Sequence, residues 1–392
     1  MIAQLVRDAL TSTAIAFATF TLITPAARAQ SPSTSPGTFG TVNAKPFLSI
    51  GLQDGAEPYQ LHRVYGATRL PDGRIVIANS GTQQLRVFDA KGHFLRNVGG
   101  RGGGPGEFGM SSSLRLYRFR DSVLALDESA NRVHVFDSQL KFAKTRLFSP
   151  VQSFPLPFTI GAFDDGSLLV MAYVNGGALH GAPGTVVRSQ YAIATYSAAG
   201  MMIGKITEVE ARPRFVMSFA NAISYPFVPL IAEPLQTVVD NEIFVLRGSR
   251  AELEVFDRAG KLVRTLKWPA PTTRSATLWK AYTKADLATM TGQMRAKYEK
   301  FYTLDLPLPE IAPTYSDIVV DSEKRLWLKR YRVGRVASTW DVITTRGVWL
   351  GSVQTPARFT LYDVDKNFLL GRWLDDLDVE AVQLLTWTQV KK

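Results

Sequence analysis

The residue types that most often carry chemistry are thin in this chain. There are four histidines, His62, His93, His134 and His180, and no cysteine. A zinc centre needs three or four ligands converging on one point. His93 and His134 fall in or beside short apolar runs (HFLRNV, RVHVFD) and only His62 and His180 lie in connecting segments. No histidine-based metal site is expected. Carboxylates offer a second route. LDDLDVE (374–380) places Asp375, Asp376 and Asp378 in one loop, Glu57 and Glu107 lie in other connections, and Asn79 adds an amide. Oxygen ligands of this kind suit calcium. No cofactor is expected, and a divalent cation held by these carboxylates is the alternative. A serine nucleophile has no support, because Gly-x-Ser-x-Gly is missing. Ser138 and Lys141 have Ser-x-x-Lys spacing but sit in a hairpin turn. The glycine-rich stretch GGRGGGPGEF (99–108) lacks the Gly-Lys-Ser/Thr ending and following helix of a phosphate loop. It reads as a tight crossing between two strands.

Arginine is the better candidate. Arg63, Arg101, Arg212, Arg214, Arg332 and Arg335 fall in connecting segments, in company with Tyr59, Phe215, Phe219, Tyr225, Phe227 and Tyr331. Guanidinium forks hold carboxylates bidentately, and aromatic rings give them a flat neighbour. The formal net charge is +11, which favours anionic partners. The basic residues are scattered, without a compact Lys/Arg run. The binding residues expected are therefore Arg63, Arg101, Arg212, Arg214, Arg332, Arg335, Tyr59 and Tyr331, for an anionic glycan, a peptide or a protein.

The elements that must position them form a repeat. PDGRIVIA (71–78), RDSVLALD (120–127), DDGSLLVM (164–171), VDNEIFVL (239–246), SEKRLWLK (322–329) and VDKNFLLG (364–371) are each a polar turn followed by an apolar β run. VFDAKG (87–92), VFDSQL (135–140), TYSAAG (195–200), VFDRAG (255–260) and VITTRG (342–347) each end a strand in a hairpin turn. With a strand before and after, each unit has four antiparallel strands, A to D. Six such units in series predict an all-β fold, a six-bladed β-propeller. The last unit lacks a downstream strand D. PFLSIGLQDGAEPYQL (46–61) matches HFLRNVGGRGGGPGEF (93–108) with one deletion, so the N-terminal strand is expected to complete blade six and close the ring.

Here the sequence resembles the NHL-like six-bladed propellers, especially secreted bacterial ones, through GRGGGPGEF, LALDESANRVHVFD and VVDSEKRLWLKRY. The resemblance implies the fold over roughly 44–390. It spans scaffolds, RNA binders and a few metal-dependent lyases and lactonases, whose divalent ion sits in the central channel.

The three long segments, 173–190, 207–234 and 268–313, are all B–C or D–A connections and so share one face, the top. Loops on a rigid scaffold are where function concentrates. The last contains TKADLATMTGQMRAKYEKFY, read as one helix over 283–302 opening at Thr283, with Leu287, Met290, Met294, Tyr298 and Phe301 as its packed stripe.

The N-terminus places Arg7 before an apolar run too short to span a bilayer, then Ala27-Arg28-Ala29. Residues 1–29 are expected to be an export signal, 30–43 a flexible Ser/Pro/Gly leader and 44–392 the propeller. Loss of Arg7, Asp8 and Arg28 leaves a charge of +10. Absence of cysteine means that this exported chain is held by its core alone. The expectation is a periplasmic or secreted monomer without a membrane span in the mature chain and without a nucleic-acid partner. It would be a non-catalytic binding or scaffold module, with a metal-dependent hydrolase or lyase as the alternative.

Overall fold

The computed structural model describes residues 37–110, 113–119, 121–127, 130–148, 158–177 and 179–390. The expected export signal and the start of the leader lie outside them. The fold is a six-bladed β-propeller of four-stranded antiparallel blades. Blade one is Val64–Arg69, Ile75–Asn79, Gln84–Phe88 and Phe94–Val98. Blade two is Leu114–Phe119, Ser122–Asp127, Arg132–Phe136 and Phe142–Leu147. Blade three is Phe158–Ala162, Leu168–Tyr173, Gln190–Tyr196 and Met202–Glu210. Blade four is Leu235–Val239, Glu242–Leu246, Glu252–Phe256 and Leu262–Lys267. Blade five is Tyr315–Val320, Leu326–Arg330, Ser338–Ile343 and Trp349–Thr355. Blade six is Phe359–Val364, Phe368–Leu374 and Glu380–Gln389, completed from the N-terminus.

Apolar content follows position in the blade. Strand B has neighbouring blades on both faces, so its side chains need no polar alternation. Ile75–Asn79 is buried throughout, whereas the outermost strand Phe94–Val98 buries only Val98. The core is correspondingly divided into clusters between blades. Val76, Val87 and Val98 meet Leu114, Val123 and Phe136 between blades one and two. Ile75, Ile77 and Phe88 meet Leu370, Val382 and Leu384 between blades one and six.

The C–D turns reuse one device. Asp89 Oδ1 accepts the backbone N–H groups of Lys91 and His93, each at 2.8 Å, and Asp137 and Asp257 do the same in their blades. Ser197 and Thr344 supply a hydroxyl instead. The fourth residue must turn left-handed, which glycine does without steric cost. Gly92 and Gly260 have φ near +84° there, whereas Leu140 holds φ +56° in blade two.

Ring closure differs in extent from the sequence expectation. Leu48–Ile50 pairs with Val382–Leu384, as the repeat alignment implies. Gly40–Val42 also pairs, with Trp387–Gln389. Thr38 forms a parallel bridge to Ser352 on blade five, and Phe39 is buried among Trp327, Trp387 and other core residues. The expected leader therefore becomes part of the propeller by residue 38. Arg325 covers the Phe39 ring at 5.0 Å, which helps to hold a segment otherwise rich in Gly and Thr.

The insertion between blades four and five holds two helices where one is expected: α1 (Ser275–Leu287) and α2 (Gly292–Phe301). Thr283 lies inside α1, and Thr291 stands at the N-terminal boundary of α2 without a side-chain capping bond. Gly292 takes φ +53° at the break. Of the expected stripe, Phe301 is fully buried against Phe215, Met217 and Val228, while Met294 is half-exposed. The helices thus pack on the other top-face insertion. Among the described residues, no helix is long and apolar enough to cross a membrane.

Candidate functional site

A short ladder in the connection between blades three and four builds a polar cluster on the top face. Arg214 and Phe227 form an antiparallel bridge, and the Phe215 N–H donates to Pro226 O at 2.8 Å in the same pairing. Alternation along extended chain puts Arg212 and Arg214 on one side and Phe215 on the other. The Phe215 side buries against α2. On the opposite side both guanidiniums lie over Phe227, Arg212 at 4.6 Å and Arg214 at 3.9 Å from the ring centroid. Arg214 also donates to Tyr225 O at 3.1 Å.

The counter-charge is Glu233, whose Oε2 is 3.6 Å from Arg212 Nε. That is a charge contact and too long for a hydrogen bond. Arg212 Nε is itself buried without a hydrogen-bond partner. Glu233 keeps 45 % of its side-chain surface, yet the protein atoms around it push its carboxyl above the ordinary glutamate value, against the pull of Arg212 and Arg214. Behind it Tyr191 donates to the Tyr173 hydroxyl at 2.9 Å. Burial raises the Tyr191 phenol further out of titration range.

Next to this cluster a groove of about 710 Å³ opens between α1 and the B–C loops of blades five and six. Tyr282, Asp286 and Tyr331 line it, with Arg332, Arg335 and Asp378. Burial pushes Tyr331 up to about 12, and the Arg212 charge is close enough to oppose this. Tyr302 donates to Asp286, which fixes α1 to the end of α2. Arg335 pairs with Asp378, Nη2 to Oδ2 at 3.1 Å. Arg332 is exposed, on the rim, with no ion pair among the described residues.

The structure therefore separates the arginines and tyrosines singled out from sequence. Arg212, Arg214, Tyr331, Arg332 and Arg335 gather around the helix pair. Tyr59, Arg63 and Arg101 lie elsewhere. Tyr59 packs on Phe88 at 5.6 Å and its hydroxyl accepts the Phe94 N–H at 3.1 Å. Arg63 covers Tyr65 at 5.8 Å, and Arg101 sits exposed in the glycine-rich crossing. Sequence reasoning missed Glu233, since its partner depends on how the insertion folds back on itself.

The carboxylates considered for a cation are engaged by cations or amides of the protein. Glu57 pairs with the buried Arg86, which also donates to the carbonyls of Glu57, Pro58 and Gln60 at 2.8–2.9 Å. Glu107 Oε2 accepts the Gly104 N–H at 2.8 Å. Asp375 accepts the amides of Leu377 and Val379, and Arg358 lies 3.6 Å from Asp376 and 3.5 Å from Asp378. Asn79 accepts the His62 N–H at 2.7 Å and donates to Thr82. Among the described residues, no three His, Asp or Glu side chains converge as a metal ion requires. His134 is wholly buried beside Phe108, and burial together with Arg132 lowers its pKa. In GGRGGGPGEF the carbonyls of Gly102, Gly103 and Glu107 turn to Arg132, and Phe108 is buried beneath. The crossing is tight enough that a Cβ at Gly99 would lie 2.5 Å from the Phe108 ring.

Residues 62–157 match the DUF5128 family, described as a 6-bladed beta-propeller. No curated protein matches the sequence. Among solved structures, a putative exported protein from Bacteroides fragilis is similar at 12 % identity and TM-score 0.47, over 92 % of this chain and 98 % of that one. A member of the duf4221 family from Bacteroides vulgatus is similar at 10 % identity and TM-score 0.47, over 90 % and 99 %. Virginiamycin B lyase from Staphylococcus aureus is similar at 11 % identity and TM-score 0.41, over 86 % and 98 %. The strand order and the matched repeats make this chain a six-bladed β-propeller.

Proposed function

We propose that this chain is an exported recognition module of the NHL-like kind, without catalytic activity of its own. Its top face holds an anionic group of a protein, peptide or glycan ligand. The observation that carries the reading is the stacking of Arg212 and Arg214 on one ring, with the Glu233 carboxylate beside Arg212. Two stacked guanidiniums beside the Glu233 carboxylate suit a ligand anion, which their N–H groups hold in fork geometry. The adjoining groove, with Arg332 on its rim, gives room for the rest of the ligand. Export rests on residues 1–29, and Edman sequencing of protein recovered from the cell envelope or medium should begin at Gln30. The module works as a monomer, outside the cytoplasm.

The test is titration with an oligogalacturonate, a carboxylated glycan, against its methyl ester, which has the same body without charge. The acid should bind, the ester should not, and Arg212→Gln with Arg214→Gln should weaken binding by about tenfold or more. Equal binding of acid and ester, or an unchanged double variant, counts against the site. Stoichiometric calcium or zinc in the purified protein, lost on mutating Asp376 or Glu57, would move the assignment to a metal-dependent hydrolase or lyase.

A further inference from the structure

Arg332 stands between two spaces and lines both. One is the groove beside α1, where Tyr282 and Tyr331 form part of the wall. The other is a cavity of about 520 Å³ on blade five. It is closed by the N-terminal segment, which bridges to Ser352 and then pairs with blade six. Apart from Val42, which packs on the core, every side chain in the lining of this cavity is polar. The N-terminal segment supplies Thr38 and Thr41, strand B supplies Arg330, and strands C and D supply Thr339, Ser352 and Gln354.

Inside the cavity the one cation is already answered. Arg330 forks onto Asp341, Nε to Oδ2 at 2.9 Å and Nη2 to Oδ1 at 2.8 Å, and Ser352 donates to the same carboxylate at 2.7 Å. The ion pair is neutral as a whole, yet Arg330 Nη1 donates to no group among the described residues. Thr339 and Gln354 stand opposite each other in the register of strands C and D. Neither side chain is hydrogen-bonded among the described residues. Thr41 meets the Thr388 hydroxyl at 3.2 Å. Hydroxyl and amide groups both donate and accept. A ring of them around a neutral ion pair matches a ligand rich in hydroxyls, which donate and accept in the same way. It offers nothing to an apolar side chain.

We propose, resting on the anion site proposed above, that the ligand is an acidic oligosaccharide which runs past Arg332 into the blade-five cavity. One uronate ring lies in the groove against Tyr282 and Tyr331, whose apolar bodies suit the apolar face of a sugar. Its carboxylate meets Arg332. The next ring enters the cavity, where its hydroxyls bond with Thr339, Gln354 and Arg330 Nη1. Cavities of this volume are ordinary for small-molecule sites.

Calorimetric titration of the full chain with digalacturonate, hexagalacturonate and hexaglutamate tests this. Hexagalacturonate should bind about thirtyfold more tightly than digalacturonate, beyond the roughly fivefold that overlapping registers on a single site allow. Thr339→Val with Gln354→Leu should cut that gain to about fivefold and leave digalacturonate, which Arg212 and Arg214 can hold alone, unchanged. Hexaglutamate brings the carboxylates without the hydroxyls and should bind about tenfold more weakly than hexagalacturonate, or worse. The comparison of the three ligands on the unaltered protein decides even where the double variant fails to fold. Hexaglutamate as tight as the glycan, or a length gain of about fivefold or less, overturns this proposal and leaves the anion site standing. Absence of binding by all three removes both.

Discussion

With its carboxylate 3.6 Å from Arg212, Glu233 occupies the place that an anionic ligand would take. Its behaviour with pH separates the two roles. Its pKa in the folded chain is raised from the ordinary 4.5, so the folded protein holds this proton more tightly than the unfolded chain does. The stability it contributes is fully present below about 4.5 and is lost as pH rises through the raised folded value. Glu233→Gln should flatten the stability profile over that interval in urea unfolding. It should also tighten binding of the carboxylated probe at neutral pH, since the internal competitor is gone. Superimposable profiles and unchanged affinity would show that Glu233 is a bystander. None of this was legible in the sequence. Arg212 and Arg214 were visible as residue types in a long connection, but the acid that answers them lies beyond a turn whose geometry only the fold sets. The same holds for Arg332, which sequence could name without saying that α1 would stand opposite it.

The closing segment shows what repeats do and do not encode. Leu48–Ile50 was readable because Phe47-Leu48 and Gly51 repeat Phe94-Leu95 and Gly99 around strand D of blade one, and because blade six lacked its last strand. Gly40–Val42 was not, because GTV has no apolar pattern and owes its place to Trp387 on the partner strand. Its one sequence signal is Phe39, 4 % exposed, 6.0 Å from Trp387 and under Arg325. Phe39→Ala should therefore lower stability by about 3–5 kcal/mol, the usual range for emptying an aromatic site in a core. If the segment were a loose leader the loss in chemical denaturation would be close to zero. The helical insertion erred in the other direction. A single periodic stripe was expected through residues that Thr289, Thr291 and Gly292 divide, and tertiary packing then chose Phe301 over Met294.

Around the whole ring the fold was legible because each blade repeats the same local choice, a polar turn and a strand buried on both faces, and the first five add a hairpin closed by Asp, Ser or Thr. Agreement between local signals and the global fold is what makes such a chain predictable. Stability in a closed ring depends on every interface, and the one between blades six and one is joined through the N-terminal strands. Deleting residues up to 51 should leave Glu380–Gln389 as a naked edge. Such edges recruit other chains, so in size-exclusion chromatography the shortened protein should run as larger species than the chain that keeps both strands. A truncated protein that stays monomeric with unchanged melting would mean that the strands merely decorate blade six.

The joining of Thr41 to Thr388, 347 residues apart in the chain, also governs timing. The first strand to be made has no partner until the last is finished, so the ring cannot lock while synthesis is under way. Contacts of such long range form late. For the export proposed above, through a membrane as an extended thread, that delay would be useful. The chain would stay pliable for passage and become a rigid ring only once both of its ends had arrived on the same side.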